Sequence, residues 1–377
     1  MTKYPFIPLA KPQFGVVEKK LVNQCLDTGW ISSIGSFVEE FGQVTAKFVG
    51  VKYALPVATG TAALHLSLIA LGIKPNDEVI VPALTFVASA NTVTYLGAKP
   101  VFVDIEPQTY NLNINQLEAK ITKETKAIMT VDLYGHPIDF DKVKKICRQY
   151  NLKFISDSAE SFGSLYKGRP TGSQADLSIF SFFGNKIITT GEGGMITTNN
   201  KKLYETARFY RDQAKNIKIH PYYHPVIGFN YGLTNLQAAV GLGQLKQIKK
   251  LVAKKQAIAQ KYNRLLKNIP GIITPFEADY AQSNYWMYAI LVDKNKFGRT
   301  RDQLMAYLKT KNIETRPFFF PIPLLPPYKK ANQGKSFPIT TKIASQGINL
   351  PTFASLTVKE ISYICQSIAS AQKSSNG

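Results

Sequence analysis

Short apolar segments recur along the first half of the chain, and segments of helical character separate most of them. They occupy residues 54–58, 78–82, 100–105, 127–131, 153–157 and 177–181. Strands that alternate with helices favour right-handed crossovers, which build a mostly parallel sheet covered by helices on both faces. Because ligands of such sheets bind beyond the carboxyl ends of the strands, the residues that follow each segment are the first candidates for a functional site.

The charge of the chain limits the classes of partner. The formal net charge is +21, and the densest basic segment, residues 246–267, also carries apolar residues at helical spacing. That pattern predicts an amphipathic helix with a solvated basic face. The other lysines are dispersed and no nucleic-acid recognition motif occurs, so we expect no nucleic-acid partner. A positive field would still help to collect a diphosphate-bearing substrate.

The sequence predicts neither a membrane segment nor a metal site. No stretch approaches about 18 consecutive apolar residues and the first residues lack an export pattern, so we expect a cytoplasmic protein. Cys25, Cys147 and Cys365 are far apart, and neither they nor the histidines have metal-type spacing. We therefore expect reduced, mostly structural thiols and no bound metal.

Lys186 is the main candidate for chemistry. It follows a small polar residue and precedes a glycine-rich turn within residues 181–195, where its ammonium would be hard to solvate. A desolvated lysine has a lowered pKa and becomes a nucleophile that can form a Schiff base with an aldehyde. The alternative is a lysine at a strand end that extends its amine to water.

Residues after the first strand form a candidate anion site. Gly60 allows close backbone approach, Thr61 can cap, and the helix predicted over residues 62–71 would offer free N–H groups. A plain helix cap is the alternative interpretation of this segment. Neither a Walker loop nor a dinucleotide-binding glycine motif follows a strand, which argues against an NTPase or a nicotinamide enzyme.

Three more side chains follow strands. Asp157 ends an apolar segment and, if buried, needs a cationic or proton-donating partner; a turn or helix-capping aspartate is the alternative. Glu160 lies one helical turn further on. Phe86 can offer a ring face for stacking or belong to the core.

Taken together, these residues match the needs of pyridoxal 5′-phosphate. The aldehyde of this cofactor forms a Schiff base with a lysine. Its phosphate accepts hydrogen bonds from N–H groups and from hydroxyl groups such as that of Ser181. Its ring is held flat by stacking, and its ring nitrogen must stay protonated to accept electrons, which an ionised aspartate secures.

Several motifs resemble those of one known family. They are SFFGNKIITTGEGGM at residues 181–195, GTAALH at 60–65, DSAE at 157–160 and GFNY at 228–231. The chain is similar in these motifs to the DegT/DnrJ/EryC1/StrS nucleotide-sugar aminotransferases over nearly its whole length. Within the family it looks most like members that aminate GDP-4-keto-6-deoxymannose, through DTGWISSIG at 27–35, LYGHP at 133–137, HPVIGFN at 224–230, YWMY at 285–288 and IETRPFF at 313–319.

The resemblance implies an α/β fold of the aspartate-aminotransferase type, with a mostly parallel mixed sheet in its large domain. Residues 1–244 would form an N-terminal arm and the large cofactor-binding domain, and residues 245–377 a small C-terminal domain. The arm is predicted as irregular, with one helix over residues 14–28. The protein would act as a homodimer whose active sites lie at the subunit boundary.

The resemblance also implies roles for single residues. Lys186 would bond the cofactor and Asp157 would pair with the ring nitrogen. The remaining cofactor contacts would come from Gly60, Thr61, Ala62, Phe86, Glu160, Ser181 and, across the dimer, Asn230. From spacing alone, Asn230 is only a loop amide. Candidate substrate contacts are Trp30, Ser33, His136, His224 and Arg316.

Two positions depart from the family pattern. Residues 58–59 are Ala-Thr where relatives commonly have serines, and Gly232 stands where they often have arginine. The second change removes a possible anion contact, and Arg316 is a candidate to replace it.

The implied reaction has two halves. Glutamate would give its amino group to the cofactor and its α-proton to Lys186, and the cofactor would then aminate a 4-keto sugar. Alternatives are another UDP- or dTDP-linked ketosugar, with amination at C3 or C4, and sugar dehydration using pyridoxamine phosphate. The dehydrating relatives have histidine in place of the lysine, so Lys186 argues against that activity. A non-catalytic role is a further alternative.

Overall fold

The computed structural model describes residues 4–372, and its central element is a seven-stranded sheet. In spatial order the strands are Tyr53–Val57, Gly194–Thr198, Leu177–Ser181, Lys153–Asp157, Thr125–Val131, Glu78–Pro82 and Lys99–Val103. The last five are mutually parallel, and Gly194–Thr198 runs antiparallel to both of its neighbours. The predicted mixed, mostly parallel sheet is therefore confirmed, with Gly194–Thr198 as a strand that the sequence analysis missed.

Helices cover both faces of this sheet. Along the strand Glu78–Pro82, Val79 and Val81 join one apolar cluster and Ile80 joins another, as expected when successive side chains point to opposite faces. The longer helices are Val16–Thr28, Ser36–Val49, Gly60–Ala70, Ala88–Tyr95, Phe140–Gln149, Lys201–Arg211, Asn235–Leu245, Ile248–Leu266, Arg301–Thr310, Pro338–Gln346 and Val358–Ala371; Lys294–Phe297 and Pro326–Lys329 are short.

The C-terminal part contains a smaller antiparallel sheet. Its strands, in spatial order, are Ile272–Ile273, Tyr288–Val292, Gly347–Leu350 and Arg316–Pro317. A third sheet joins Ala281–Gln282, Leu165–Tyr166 and Arg169–Pro170. All strands of the seven-stranded sheet thus precede residue 245 in the sequence, and all strands of the four-stranded sheet follow it. The domain boundary at that residue stays a prediction.

The N-terminal arm is more regular than predicted. Besides the helix Val16–Thr28, it contains the helix Ser36–Val49, which buries Phe37, Phe41 and Val49. This correction has a simple cause, because these apolar residues have helical spacing and the glycines at 35 and 50 bound the helix. The irregular parts of the arm are residues 4–15, before the first helix, and the segment between the two helices.

Over residues 4–372, every helix is too short or too polar to span a bilayer.

Candidate active site

A cavity of about 410 Å³ opens at the carboxyl ends of the central strands. Val131, Asp157 and Ser181, each the last residue of its strand, line it. Its wall includes Arg316 and most of the predicted cofactor residues. These cofactor residues are Gly60, Thr61, Phe86, Asp157, Glu160, Ser181 and Lys186. This position agrees with the strand-end rule from which the site was predicted.

Lys186 lies inside the cavity wall. Its side chain is 13% exposed, its Nζ is 3.7 Å from Glu160 Oε1, and it lies 3.7 Å from the ring centroid of Trp286. Burial lowers the pKa of Lys186, and the Glu160 carboxylate opposes this shift without overcoming it. The interpretation of Lys186 as a lysine that extends to water is therefore wrong, and its amine is suited to nucleophilic attack.

Asp157 is held in a fixed orientation beneath the cavity. Its Oδ2 accepts a hydrogen bond from Ser89 Oγ at 2.8 Å and its Oδ1 accepts one from the amide of Ala159 at 3.2 Å. Burial raises the pKa of Asp157, and the bond from Ser89 partly offsets the shift. A protonated ring nitrogen in the cavity would supply the counter-charge that this buried carboxylate needs.

Glu160 connects Lys186 to the turn that contains Tyr134. Its Oε2 accepts the amide N–H of Tyr134 at 2.7 Å, and Tyr134 has a left-handed backbone with φ of 54°. Such a conformation is strained for a residue with a side chain, so the bond to Glu160 helps to hold it. Burial raises the pKa of Glu160, and the positive charge of Lys186 opposes this shift.

The start of the helix Gly60–Ala70 offers donors to an anion. A Cβ on Gly194 would clash with the carbonyl oxygen of Thr59, and a Cβ on Gly60 would lie 3.0 Å from that of Ser181, so the two glycines allow these segments to approach closely. The first-turn amides of Gly60 and Thr61 have no carbonyl partner within the helix. They and the Ser181 hydroxyl form a phosphate-sized group of donors.

The predicted contact of Ala62 needs correction. Its amide N–H donates to Thr59 Oγ1 at 3.0 Å, and Ala62 is not among the residues that line the cavity. Thr59 is therefore the N-cap of this helix, a role that the sequence analysis gave to Thr61.

A buried carboxylate behind the site positions Asp157 and Glu160. Asp132 Oδ2 accepts hydrogen bonds from Ser158 Oγ at 3.0 Å and Ser161 Oγ at 2.7 Å, and its Oδ1 accepts the amide N–H of Ile138 at 3.1 Å. Because Ser158 and Ser161 directly follow Asp157 and Glu160, one side of this segment faces the cavity and the other is bound to Asp132.

We expect the Asp132→Asn substitution to change how stability depends on pH. Burial raises the pKa of Asp132 to about 7 from 3.8. The folded state therefore keeps a proton that the unfolded state loses, and this contribution to stability declines as pH rises through that interval. Relative to the wild type, the Asp132→Asn variant should gain about 1.4 kcal/mol of unfolding free energy per pH unit across it. Denaturant titrations between pH 4 and 8 measure the difference, and parallel curves would contradict the prediction.

Asn230 and Ser33 lie apart from the Lys186 cavity. They line a second cavity of about 690 Å³, together with Arg208 and Arg211. Trp30 lines a third cavity, and Asn235 holds its loop by donating to the carbonyl oxygen of Trp30 at 2.8 Å. A Cβ at Gly232 would lie 3.0 Å from that of Ser33, so a larger residue there would require this loop to shift.

The two histidines predicted to contact substrate are engaged elsewhere. His136 Nε2 accepts the amide N–H of Ala278, which leaves Nδ1–H to donate to the carbonyl oxygen of Pro137. Burial lowers the pKa of His136 to about 4, so its role in this fold is structural and the predicted substrate contact is corrected. His224 is exposed, with Nδ1 2.8 Å from the carbonyl oxygen of Gln213.

Several cavity residues were not singled out from the sequence. Trp286 lies in the YWMY motif, and its indole N–H donates to the carbonyl oxygen of Asn185 at 2.8 Å. The LYGHP motif contains Tyr134, and Asn349 begins the Asn-Leu-Pro segment at residues 349–351. The motifs themselves were the available signal, but nothing in their local sequence placed them beside Lys186.

The residues present fit pyridoxal 5′-phosphate. A buried amine, a fixed buried carboxylate and a helix start with close-packed glycines line one cavity, and Phe86 lies 55% exposed at its wall. The exposed ring face is free to cover a flat ligand. Within residues 4–372, no group of three or more His, Cys, Asp or Glu side chains is placed to hold a metal ion.

Comparisons with known proteins give a consistent picture. The sequence model of the DegT/DnrJ/EryC1/StrS aminotransferase family matches residues 12–369. The chain is 44% identical to GDP-perosamine synthase of Escherichia coli O157:H7 over 365 residues, which cover 96% of this chain and 98% of that protein.

Solved structures share the fold. The Helicobacter pylori aminotransferase PseC, involved in the biosynthesis of pseudoaminic acid, superposes with a TM-score of 0.92 at 28% identity, with 98% of this chain and 99% of that one covered. A Streptococcus pneumoniae protein described as a sugar aminotransferase, in its PLP form, superposes with a TM-score of 0.89 at 28% identity, covering 98% of both chains.

Proposed function

The chain belongs to the DegT/DnrJ/EryC1/StrS aminotransferase family, and on that premise we propose that it transfers the amino group of glutamate to GDP-4-keto-6-deoxymannose, giving GDP-perosamine. It is a pyridoxal phosphate-dependent aminotransferase that acts on a nucleotide-linked ketosugar. The identity of the sugar is supported by the full-length similarity to GDP-perosamine synthase.

Each buried group has a distinct task in this reaction. When bound, pyridoxal 5′-phosphate supplies an aldehyde that takes up the amino group and a ring that accepts electrons. Lys186 accepts the α-proton of the amino donor and later returns a proton to the former keto carbon of the sugar, and its lowered pKa favours the neutral amine that this role needs. Asp157 holds a proton at the ring nitrogen, and the amides of Gly60 and Thr61 bind the phosphate.

The observation that carries the proposal is the buried amine of Lys186 in a cavity whose donors match the cofactor. The test is a reaction of the purified, cofactor-loaded protein with glutamate and a panel of GDP-, UDP- and dTDP-linked ketosugars. Mass spectrometry of the products should detect an aminated sugar with GDP-4-keto-6-deoxymannose. Product from a UDP- or dTDP-linked sugar alone would contradict the proposed substrate.

We expect Glu160→Gln to make Lys186 reactive at lower pH. The Glu160 carboxylate raises the pKa of Lys186, so the neutral amide should let that pKa fall further. The rate at which cofactor-free protein binds pyridoxal phosphate should then reach its half-maximum at a lower pH, since the neutral amine attacks the aldehyde. Glu18→Gln, which alters a buried glutamate bonded to Gln244 and Gln247, should leave the midpoint unchanged. A shift to higher pH in the Glu160→Gln variant would contradict this prediction.

We also propose that the active form is a homodimer in which each subunit completes the other's site. The proposal is supported by the position of Asn230, which lines a cavity separate from that of Lys186 in the same chain. The loop before it exposes a series of large apolar side chains: Ile217, Ile219, Tyr222, Tyr223, Val226 and Ile227. An exposed apolar segment of this kind is typical of a subunit interface.

Mixing two inactive variants tests this arrangement. If Asn230 reaches the partner's phosphate site, dimers formed from Lys186→Ala and Asn230→Ala subunits contain one site with both defects and one intact site. Random reassociation should then restore about one-quarter of wild-type turnover. Light scattering before and after mixing checks the mass. No recovery despite confirmed mixed dimers would mean that each site takes Lys186 and Asn230 from the same subunit, which contradicts the proposal.

A further inference from the structure

The amine of Lys186 has a close aromatic neighbour as well as a carboxylate. Its Nζ lies 3.7 Å from Glu160 Oε1, which is longer than the roughly 2.7–2.9 Å of a charge-assisted hydrogen bond. It also lies 3.7 Å from the ring centroid of Trp286, within the range of about 6 Å in which an aromatic face attracts a cation. Within residues 4–372, the other cation–ring contacts join lysine or arginine to tyrosine at 5.3–5.6 Å. The contact between Lys186 and Trp286 is therefore the closest of its kind among the described residues.

Hydrogen bonds fix the position of Trp286. Its indole N–H donates to the carbonyl oxygen of Asn185 at 2.8 Å, its amide N–H donates to Asn284 Oδ1 at 2.8 Å, and its carbonyl oxygen accepts Lys255 Nζ at 2.7 Å. Trp286 is 5% exposed. Because Asn185 directly precedes Lys186, the bond from the indole N–H ties the ring to the segment that carries the reactive amine.

The two groups that contact Lys186 are also tied to each other. Asn284 Nδ2 donates to the carbonyl oxygens of Glu160 at 3.0 Å and of Phe162 at 3.1 Å, while Asn284 Oδ1 accepts the amide of Trp286. Tyr285, between Asn284 and Trp286, has a left-handed backbone with φ of 48°. Such strain persists where the surrounding contacts enforce it, and it concentrates at functional sites. The strained turn and the bonds of Asn284 thus keep the indole ring beside Lys186.

We propose that Trp286 is a positioning residue whose indole face binds the ammonium of Lys186 whenever Lys186 is not bonded to the cofactor. Burial favours the neutral amine, but a base that takes up the α-proton of the amino donor must also hold it. The ring face stabilises the ammonium and, unlike the Glu160 carboxylate, cannot take the proton from it. This role rests on the proposed function, in which Lys186 bonds the cofactor, and does not depend on which sugar is aminated.

Other charged and titratable groups face the same pair. The Glu160 and Asp157 carboxylates both favour the Lys186 ammonium. Further groups are Tyr134, Glu192 and Arg316 in the wall of the 410 Å³ cavity, and Lys11 and Lys255, which line a small cavity of about 30 Å³ with Lys186. A test of the ring face must leave all of them unchanged. Fluorinated tryptophans do so, because fluorine withdraws electrons from the ring face but nearly preserves the shape and the N–H of the indole.

The experiment places tryptophan analogues with one, two or three fluorines at position 286 of the cofactor-free protein. A weaker attraction should lower the pKa of Lys186 as fluorines are added. The half-maximal rate of pyridoxal phosphate binding, followed by visible absorbance, should therefore move to lower pH, by roughly 0.5 to 1 unit with three fluorines. Melting temperatures should stay at the wild-type value, because packing and the bond to Asn185 persist. A role in packing alone would leave the midpoint of the pH profile where it is.

Trp30 provides the matched control. It is the only other tryptophan of the chain, is 56% exposed and does not line the Lys186 cavity. The same analogues at position 30 should leave the midpoint unchanged. In a Glu160→Gln background the shift at position 286 should persist, because the ring and the carboxylate act separately on the ammonium. A midpoint that ignores fluorine at position 286, moves equally with fluorine at position 30, or moves only when Glu160 is present would overturn the inference.

The same measurements distinguish this inference from the proposed function. If the wild type binds pyridoxal phosphate and aminates the ketosugar, but the midpoint is the same for every analogue, the role of Trp286 fails and the proposed function stands. If the wild type aminates no ketosugar but the midpoint moves with fluorine number, the proposed function fails and the contact between Trp286 and Lys186 stands.

Discussion

Lys186→Ala should abolish turnover, with a loss of at least about 10⁴-fold, because one substitution removes both the nucleophile and the group that moves the proton. The geometry makes replacement of this amine by a neighbour implausible. Lys186 Nζ is held between the Glu160 carboxylate and the face of Trp286, and Lys186 is the only lysine among the described residues that line the cavity. Steady-state assay and the visible absorbance of the loaded protein measure the loss.

The Lys186→Arg variant distinguishes the loss of the reactive amine from the loss of the positive charge. A guanidinium keeps a positive charge near Glu160 but stays protonated, so it can neither attack an aldehyde nor accept a proton. We expect the Lys186→Arg variant to be as inactive as the Lys186→Ala variant while it keeps more of the wild-type stability. Substantial transamination by either variant would refute the assignment of Lys186.

Lys255 provides a matched control. It is also buried, burial lowers its pKa to about 7, and its Nζ donates to the carbonyl oxygens of Trp286 and Thr352, each at 2.7 Å. Lys255→Met leaves both carbonyls unpaired and should destabilise the fold by about 1–3 kcal/mol. The Lys255→Met variant should nevertheless still bond the cofactor, since Lys255 does not line the 410 Å³ cavity and shares with Lys186 only a small cavity of about 30 Å³.

A site residue could be predicted from the sequence when its place in the site is determined by its own segment of the chain. Lys186 and Asp157 were predictable because each follows an apolar segment, and strand ends meet at one edge of a parallel sheet. The neighbours that determine their properties come from distant segments. Trp286 lies 100 positions from Lys186 in the numbering, and Ser89 reaches Asp157 from the first turn of the helix Ala88–Tyr95. No spacing rule links such residues.

Alternative partners explain the predictions that were wrong. Ala62 has the amide expected of a phosphate site, but Thr59 Oγ1 already accepts its N–H, and sequence cannot decide which of two threonines, one on each side of Gly60, caps a helix. His136 was expected near the sugar, but the backbone of Pro137 and Ala278 uses both ring nitrogens. Lys255 belongs to a helix whose lysines were predicted to face water, and two distant carbonyls bring it inside. In each case tertiary contacts decided the outcome.

Asp157→Asn should lower kcat by roughly 10²–10³-fold, the usual loss when one preorganised charged group is removed from an active site. Asparagine has nearly the same shape: its oxygen can still accept the amide N–H of Ala159, and its NH2 group can donate to the hydroxyl oxygen of Ser89. A neutral amide, however, cannot hold a proton on the cofactor's ring nitrogen, and without that charge the ring no longer stabilises electrons. Single-turnover rates with glutamate measure the loss, and the loaded protein should keep its visible absorbance because Lys186 is unchanged.

Two control experiments test whether the lower kcat of the Asp157→Asn variant comes from the loss of charge at the ring nitrogen of the cofactor. Asp132→Asn changes a second buried carboxylate that lies behind Asp157, bonded to Ser158 and Ser161 instead of facing the cavity. Its effect on kcat should be at least about tenfold smaller than that of Asp157→Asn, because it acts only by positioning. In an Asp157→Ala variant, a cofactor analogue methylated at the ring nitrogen carries a permanent positive charge and should restore part of the rate. If the analogue gives no recovery although it binds, Asp157 acts on some step other than the protonation of the ring.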